Sequence, residues 1–330
     1  MSVASLPLAP EIVGEPAASL AALLKAAGDP LRLDILRVLA QDSFGVLELS
    51  RLFDVKQSGM SHHLKVLAAA GLLTTRREGN SIFYRRASLA PDHPLVALQQ
   101  QLFQTLDQQP VADYLAAQLA ALQAERSEAS RQFFIDNAHK FRAQQDLIAS
   151  YPVYAEQITQ LLHNTPLPAR RRVLEVGPGE GEFLAVLSPV FDEVIALDNA
   201  DSMLDKSQQF AAKNGLANIR FLGGDTAVLS SHGLTVDCIV VNMVLHHTPS
   251  PADIFQHLAD ALQTGGALLI TDLCRHEQTW AREACGDLWQ GFDPQDFSRW
   301  AKAAGLEEGQ SMYVALRNGF QVQLRQFFKT

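Results

Sequence analysis

The sequence predicts an α+β winged helix-turn-helix followed by an α/β doubly wound, Rossmann-like domain, and three observations carry that reading. Residues 172–181 read Arg-Val-Leu-Glu-Val-Gly-Pro-Gly-Glu-Gly, an apolar run too β-branched and brief for a helix, then glycines at alternate positions. Residues 20–70 carry apolar side chains at helical spacing and lead into a basic stretch with a turn at Glu78-Gly79-Asn80. Pro91-Asp92-His93-Pro94 separates the two regions.

Composition sets the bounds. A chain of 330 residues, 47% hydrophobic and 19% charged, is globular and long enough for two domains. Its net charge of -9 excludes a uniformly basic nucleic-acid binder, so any basic surface must be local. No stretch is apolar enough to span a membrane, and the N-terminus lacks the basic start and apolar core of a secretory signal. Cys238, Cys274 and Cys285 are odd in number and unclustered, which indicates neither a disulfide framework nor a thiolate metal site. A cytoplasmic setting is expected.

Residues 1–17 read as a mobile tail and 18–90 as the winged helix-turn-helix. A helical stretch from Leu20 to Leu39 is interrupted at Gly28-Asp29-Pro30, where Asp29 can cap a new helix whose first position suits Pro30. Leu31, Leu33, Ile35, Leu36 and Leu39 supply its buried side. Val46–Phe53 forms a short helix, 54–57 a turn, and Ser58–Ala70 a second helix that Gly71 stops. Met60, Leu64 and Leu67 face inward in that helix, leaving Gln57, Ser58, Ser61, His62 and Lys65 free for phosphates or base edges. Residues 72–86 make a β-hairpin flanked by Arg76, Arg77 and Arg85, the wing. From Gly45 to Ala90 seven Lys or Arg face three acids, the local excess expected where double-stranded DNA binds. A helical protein-interaction module would share the helices but not the wing and the charge.

The runs Gly28-Asp29-Pro30-Leu31-Arg32-Leu33-Asp34-Ile35-Leu36, Gln57-Ser58-Gly59-Met60-Ser61-His62-His63-Leu64-Lys65-Val66-Leu67 and Gly71-Leu72-Leu73 resemble the ArsR family of winged-helix transcriptional regulators over about the first quarter of the chain. The resemblance implies operator DNA as partner and a homodimer. Many members sense metals through cysteines in the helix before the recognition helix; the matching Val46–Leu52 has none. His62 and His63 are adjacent on a helix and point apart, so no metal site is expected.

Residues 91–165 are read as a helical connector. The leucines from Leu98 to Leu122 fit equally a dimer seam or the packed face of one domain. Phe133, Phe134, Ala138, Phe141, Tyr151 and Tyr154 fit equally a cofactor lid or ordinary core.

In the last region, 166–330, strand 173–176 is followed by the glycine turn and a helix from Glu182 to Leu187. Asp198 ends the next strand, where a carboxylate can take ribose hydroxyls. A dinucleotide fingerprint needs a third glycine at 182, but that residue is Glu182, which opposes a pyrophosphate. The actual spacing, with Glu175 before it, resembles the class I S-adenosylmethionine-dependent methyltransferases, whose cofactor carries no phosphate. Further strands are expected at Asn218–Leu222, Val236–Val241 and Ala267–Asp272, with a helix ending over Ala261–Gly266. The Leu-His-His after the fourth strand is similar to quinone-biosynthesis members. The resemblance implies that Glu175, Gly177, Gly179 and Gly181 hold the methionine end, with Asn242 and Leu245 lining it. It assigns Asp198 to the ribose, Met203 to covering the adenine and Asp225 to its amine. No Asn-Pro-Pro-Tyr motif is present, so DNA methylation is not expected. His246 and His247 are candidate catalytic bases, although methyl transfer from a sulfonium needs chiefly alignment. Residues 272–305, with Trp280, Asp287, Trp289, Phe292 and Trp300, are expected to form a lid or acceptor site.

The combined expectation is a regulator whose C-terminal domain binds S-adenosylmethionine or S-adenosylhomocysteine and couples it to operator binding. The alternatives are an active methyltransferase on a small-molecule acceptor with a regulatory DNA-binding module, and a dinucleotide-responsive redox regulator.

Overall fold

The computed structural model describes residues 16–78, 81–137 and 140–330. The expected tail up to Glu15, the turn residues Gly79 and Asn80, and Ala138 lie outside the described residues, as does the side chain of Phe141. The chain divides into two compact units, one ending at Leu119 and the other beginning at Ala120.

The first unit contains α1 (Pro16–Ala27), α2 (Pro30–Val38), β1 (Phe44–Gly45), α3 (Val46–Leu52), α4 (Gln57–Ala69), β2 (Leu73–Glu78), β3 (Ser81–Arg86) and α5 (Val96–Asp107). Asp29 caps α2 by accepting from the Arg32 backbone N–H at 3.0 Å, with Pro30 in the first turn. Such a cap is worth about 1 kcal/mol. Ile35, Leu36, Leu49, Met60, Leu64 and Leu67 close the core. Leu31 and Leu33 are only half-buried, and Val38 takes their place. The strands form a three-stranded sheet in the order β1-β3-β2, with Arg76 opposite Phe83 and Arg77 opposite Ile82. The leucines from Leu98 to Leu122 fall on two helices: α5 ends at Asp107 and α6 (Asp113–Asn137) begins beyond Pro110, which has no N–H to continue a helix. Residues of both units lie on α6.

The second unit continues with α7 (Phe141–Ala149), α8 (Tyr151–Asn164), β4 (Arg172–Val176), α9 (Leu184–Leu187), β5 (Glu193–Asp198), α10 (Asp201–Lys213), β6 (Ile219–Gly223), α11 (Val228–Ser231), β7 (Val236–Asn242) and α12 (Pro251–Ala261). It closes with β8 (Leu262–Leu273), α13 (Trp280–Cys285), α14 (Pro294–Ala303), β9 (Leu306–Ala315) and β10 (Gln321–Lys329). One Rossmann-like sheet runs β6-β5-β4-β7-β8-β10-β9. The first five are parallel and β10 is antiparallel to both its neighbours. Strand order reverses at β4, so a crevice opens beyond the carboxyl ends of β4 and β7. Two expectations are corrected, and one strand pair is added. The helix after the glycine turn covers only Leu184–Leu187. Residues 262–266 belong to β8 rather than to a helix end. The antiparallel pair β9–β10 was not foreseen.

Candidate functional site

In the first unit, the outward side of α4 carries Gln57, Ser58, His62 and Lys65, all exposed, and Ser61, half-buried. The capping contact of Glu48 Oε2 to the Gly45 N–H (2.7 Å) fixes the start of α3, and Asp54, at φ 50°, makes the turn into α4. On the wing Arg77 is exposed and Arg85 half-buried. Arg76 departs from expectation. Strand alternation sends it to the inner face, where it is 3% exposed, so its charge is not presented to a duplex. Arg86, counted in the basic excess, is also structural: its Nε donates to the Leu36 carbonyl (2.6 Å) and its guanidinium pairs with Asp107 (2.7 Å).

In the second unit, a cavity of about 450 Å³ lies over the sheet at the point where strand order reverses. Glu175, Gly177, Gly179, Asp198, Met203, Asp225, Asn242 and His247 line it; Gly181, Leu245 and His246 do not. Gly177 has φ 65°, donates to the Leu197 carbonyl at 2.8 Å, and a Cβ there would lie 2.5 Å from Val244 Cγ2. Gly179, at φ 59°, has no atom within 4 Å of where a Cβ would stand, so the loop leaves open space at the cavity. Gly181 serves packing, because a Cβ there would be 3.1 Å from Ser207 Cα. Leu245 is fully buried and its N–H donates to Asp272 Oδ2 at 2.9 Å.

The cavity floor is acidic and under-partnered. Glu175 is 2% exposed; its Oε2 and both amide atoms of Asn242 are buried without a hydrogen-bond partner. Burial pushes the Glu175 carboxyl up to about 8, the nearby Asn242 amide offsetting part of it. Burial also raises Asp198, to about 6, against the backbone N–H of Ala200, which donates to its Oδ1 at 2.9 Å. Asp225 is exposed and accepts from the Ala227 N–H at 2.9 Å. Phe134, Tyr151 and Tyr154 also line the cavity, and the Phe134 ring stands edge-on to His247 with centroids 5.0 Å apart.

Around the rim, sequence reasoning missed a clasp: Arg142 of α7 donates to Glu182 Oε1 (2.8 Å) and Glu180 Oε2 (3.0 Å), and Lys206 donates to Glu180 Oε1 (3.0 Å). The expected lid is a further correction. None of Trp280, Asp287, Trp289, Phe292 and Trp300 lines the cavity. Phe292 and Trp300 pack with Phe255 and Phe297 as core, while Trp280 is 39% exposed. The tryptophans are therefore spread between core and surface.

The two histidines differ. His246 Nδ1 lies 2.7 Å from Asp272 Oδ1, wholly buried. Burial opposes its protonation, but Asp272 and Asp287 together outweigh that and raise its pKa. His247 faces the cavity, and burial followed by repulsion from His246 holds its pKa well below the ordinary value. His246 therefore positions the turn, and of the two only His247 lines the cavity.

Known proteins match each part separately. Residues 27–76 match the family described as a helix-turn-helix domain, and residues 147–308 the one described as a methyltransferase domain. The biofilm growth-associated repressor of Agrobacterium fabrum is 45% identical over 71 residues, 22% of this chain and 61% of the repressor, less than two thirds of that relative's length. The uncharacterised methyltransferase YcgJ of Bacillus subtilis is 25% identical over 187 residues, 56% of this chain and 72% of that protein. Its crystal structure superposes with a TM-score of 0.45 at 17% identity, over 53% of this chain and 98% of that one. Fold and sequence thus define a helix-turn-helix protein of ArsR-like type carrying a second, Rossmann-like domain. That second domain is a methyltransferase domain. Among the described residues no helix is long and apolar enough to cross a membrane.

Proposed function

We propose that the second unit binds S-adenosylmethionine or S-adenosylhomocysteine and that this binding changes the affinity of a homodimer for double-stranded operator DNA. The observation that carries the reading is the cavity floor. Glu175 Oε2 and the Asn242 amide lack partners deep in a cavity whose glycine turn leaves room at Gly179. An amino-acid ammonium and carboxylate supply the missing partners. Asp198, one strand over, would take a ribose diol, and Met203 with Phe134, both in the cavity wall, would cover a purine. The methyl donor is favoured over a dinucleotide because the position where a third fingerprint glycine would stand is Glu182. Operator contacts would fall to Gln57, Ser58, Ser61, His62, Lys65, Arg77 and Arg85.

The coupling would run through α6, whose residues Gln123, Ser127 and Ser130 line the cavity and whose first residues belong to the first unit. A coupling free energy of about 1–3 kcal/mol is expected, and it must be reciprocal. Calorimetric titration with each cofactor form, with and without operator, tests it. If neither form at saturation alters operator affinity, regulation by the ligand is excluded and a DNA-tethered enzyme becomes the better account.

The second reading, methyl transfer to a small acceptor, is favoured by one observation: His247 stands in the cavity wall with the Phe134 ring edge-on to it, where the pair can orient an acceptor. S-adenosylmethionine would supply the methyl group there; the protein's part is to align an acceptor and exclude water. Product formation with candidate acceptors, lost in His247→Ala, tests that reading.

A further inference from the structure

Three potential metal ligands converge from two segments of the second unit. His246 and His247 form the 3-10 turn Leu245–His247 that follows β7, and Asp287 lies just beyond α13. Gly286, at φ 76°, turns the chain out of α13. The N–H groups of Leu288 and Trp289 then donate to the His246 carbonyl at 2.9 and 3.0 Å, and Trp289 Nε1 donates to the Thr248 carbonyl at 2.8 Å. Those bonds carry Asp287 onto the imidazoles. Its Oδ1 lies 3.8 Å from His246 Nε2 and 3.5 Å from His247 Nδ1. One donor atom from each of the three lies within 4.8 Å of the others, and all three residues are buried.

Donors of a four-coordinate ion with bonds of about 2.0–2.1 Å stand about 3.3 Å apart, so small side-chain rotations would close this set on an ion. The surroundings fit as well. His246 has its other nitrogen, Nδ1, on Asp272 at 2.7 Å, and Asp272 is itself held by the N–H groups of Leu245 (2.9 Å) and Leu273 (2.7 Å). A carboxylate behind the imidazole is the arrangement that orients a metal-bound histidine and fixes its tautomer. His247 Nδ1 also lies 3.4 Å from the Gly286 carbonyl. We propose that His246 Nε2, His247 Nδ1 and Asp287 form a buried site for a divalent first-row transition ion. Two imidazoles and one carboxylate suit Zn²⁺, Co²⁺ or Fe²⁺, whereas Ca²⁺ and Mg²⁺ require oxygen donors. Of the three, only His247 also lines the cavity.

The test uses the full chain, stripped with chelator and titrated with Zn²⁺ alone, and separately with Co²⁺ read by its visible absorption. One equivalent is expected to bind, with Co²⁺ giving the bands of a four- or five-coordinate nitrogen–oxygen site. Asp287→Asn should lose affinity at least 100-fold, and Asp272→Asn, which alters only the orienting carboxylate, about 10–100-fold. Melting temperature and S-adenosylhomocysteine binding report folding. If Asp287→Asn fails to fold, His247→Gln carries the same expectation. Absence of stoichiometric uptake by the unaltered chain overturns the proposal, as does uptake indifferent to these substitutions. The cluster is then a hydrogen-bonded brace between the turn after β7 and the segment after α13.

Discussion

Arg142 Nη2 lies 2.8 Å from Glu182 Oε1, joining α7 to the glycine turn from 40 residues away in sequence. The same guanidinium reaches Glu180, so one side chain spans both carboxylates that flank Gly181. Each pair is partly exposed and worth little alone, but a fork shared by two carboxylates fixes geometry. Arg142→Gln should therefore speed cofactor dissociation by about two- to tenfold at low salt and leave it nearly unchanged at high salt, where the pairs are screened. Stopped-flow release at two ionic strengths checks this; equal rates for both proteins at low salt would remove the clasp from the binding process.

The pocket assignment makes a sharper demand. Asp198→Ala removes the acceptor for the ribose, and Gly179→Asp puts a charged side chain into space that is open at present. Losing hydrogen bonds to a charged group weakens binding by about 10–100-fold. Far-UV circular dichroism should be unchanged in both. Full affinity in either variant would move the ligand elsewhere.

Protons should leave as ligand enters. Glu175, raised to about 8, is largely protonated at neutral pH, and an ammonium partner favours its anion. Binding near pH 7 should thus release up to about one proton, affinity should rise toward pH 8, and Glu175→Gln should release none; calorimetry in two buffers of different ionisation enthalpy measures this. Stability runs the other way. The folded-state value exceeds the ordinary 4.5, so the contribution is full below about 4.5 and is lost as pH climbs to about 8. Asp198 behaves likewise between 3.8 and about 6.

The two classes of arginine and lysine in the first unit separate by salt. Lys65 is exposed, so Lys65→Ala should weaken operator binding and reduce the slope of log affinity against log salt by about one. Ser61→Ala should weaken binding without that change. Arg76 is buried, so Arg76→Gln should lower the melting temperature and leave the slope alone. A slope that changes with Arg76 and not with Lys65 would invert the proposed surface.

Much of the architecture could be read from the sequence because each element there carries its own local cause. Asp29 and Pro30 start α2, Gly71 stops the recognition helix, and apolar runs mark β4, β5, β7 and β8. The edge strand β9 was hidden because it is mostly exposed and polar, and β10 because buried polar residues break its pattern. Gln323 and Gln326 are buried on the Phe292 carbonyl and Thr165, and Arg325 on Glu308. Only tertiary partners make those burials tolerable. Arg76 misled for the opposite reason: formal charge was counted before strand alternation decided which way it points. Asp287 carried no ligand spacing at all, since the turn that brings it to His246 is a matter of backbone bonds 40 residues away.

The position of β10 between β8 and β9 sets a timetable for biosynthesis. During translation β8 emerges complete, but the neighbour that covers its free edge begins only at Gln321. At about 5–20 residues per second, the roughly fifty intervening residues leave that edge bare for several seconds. Ala267, Leu268, Leu269 and Ile270 make β8 strongly apolar. A ribosome that stalls in this interval would hold a nearly finished sheet with an adhesive margin, a substrate for holdase chaperones and a hazard on crowded polysomes.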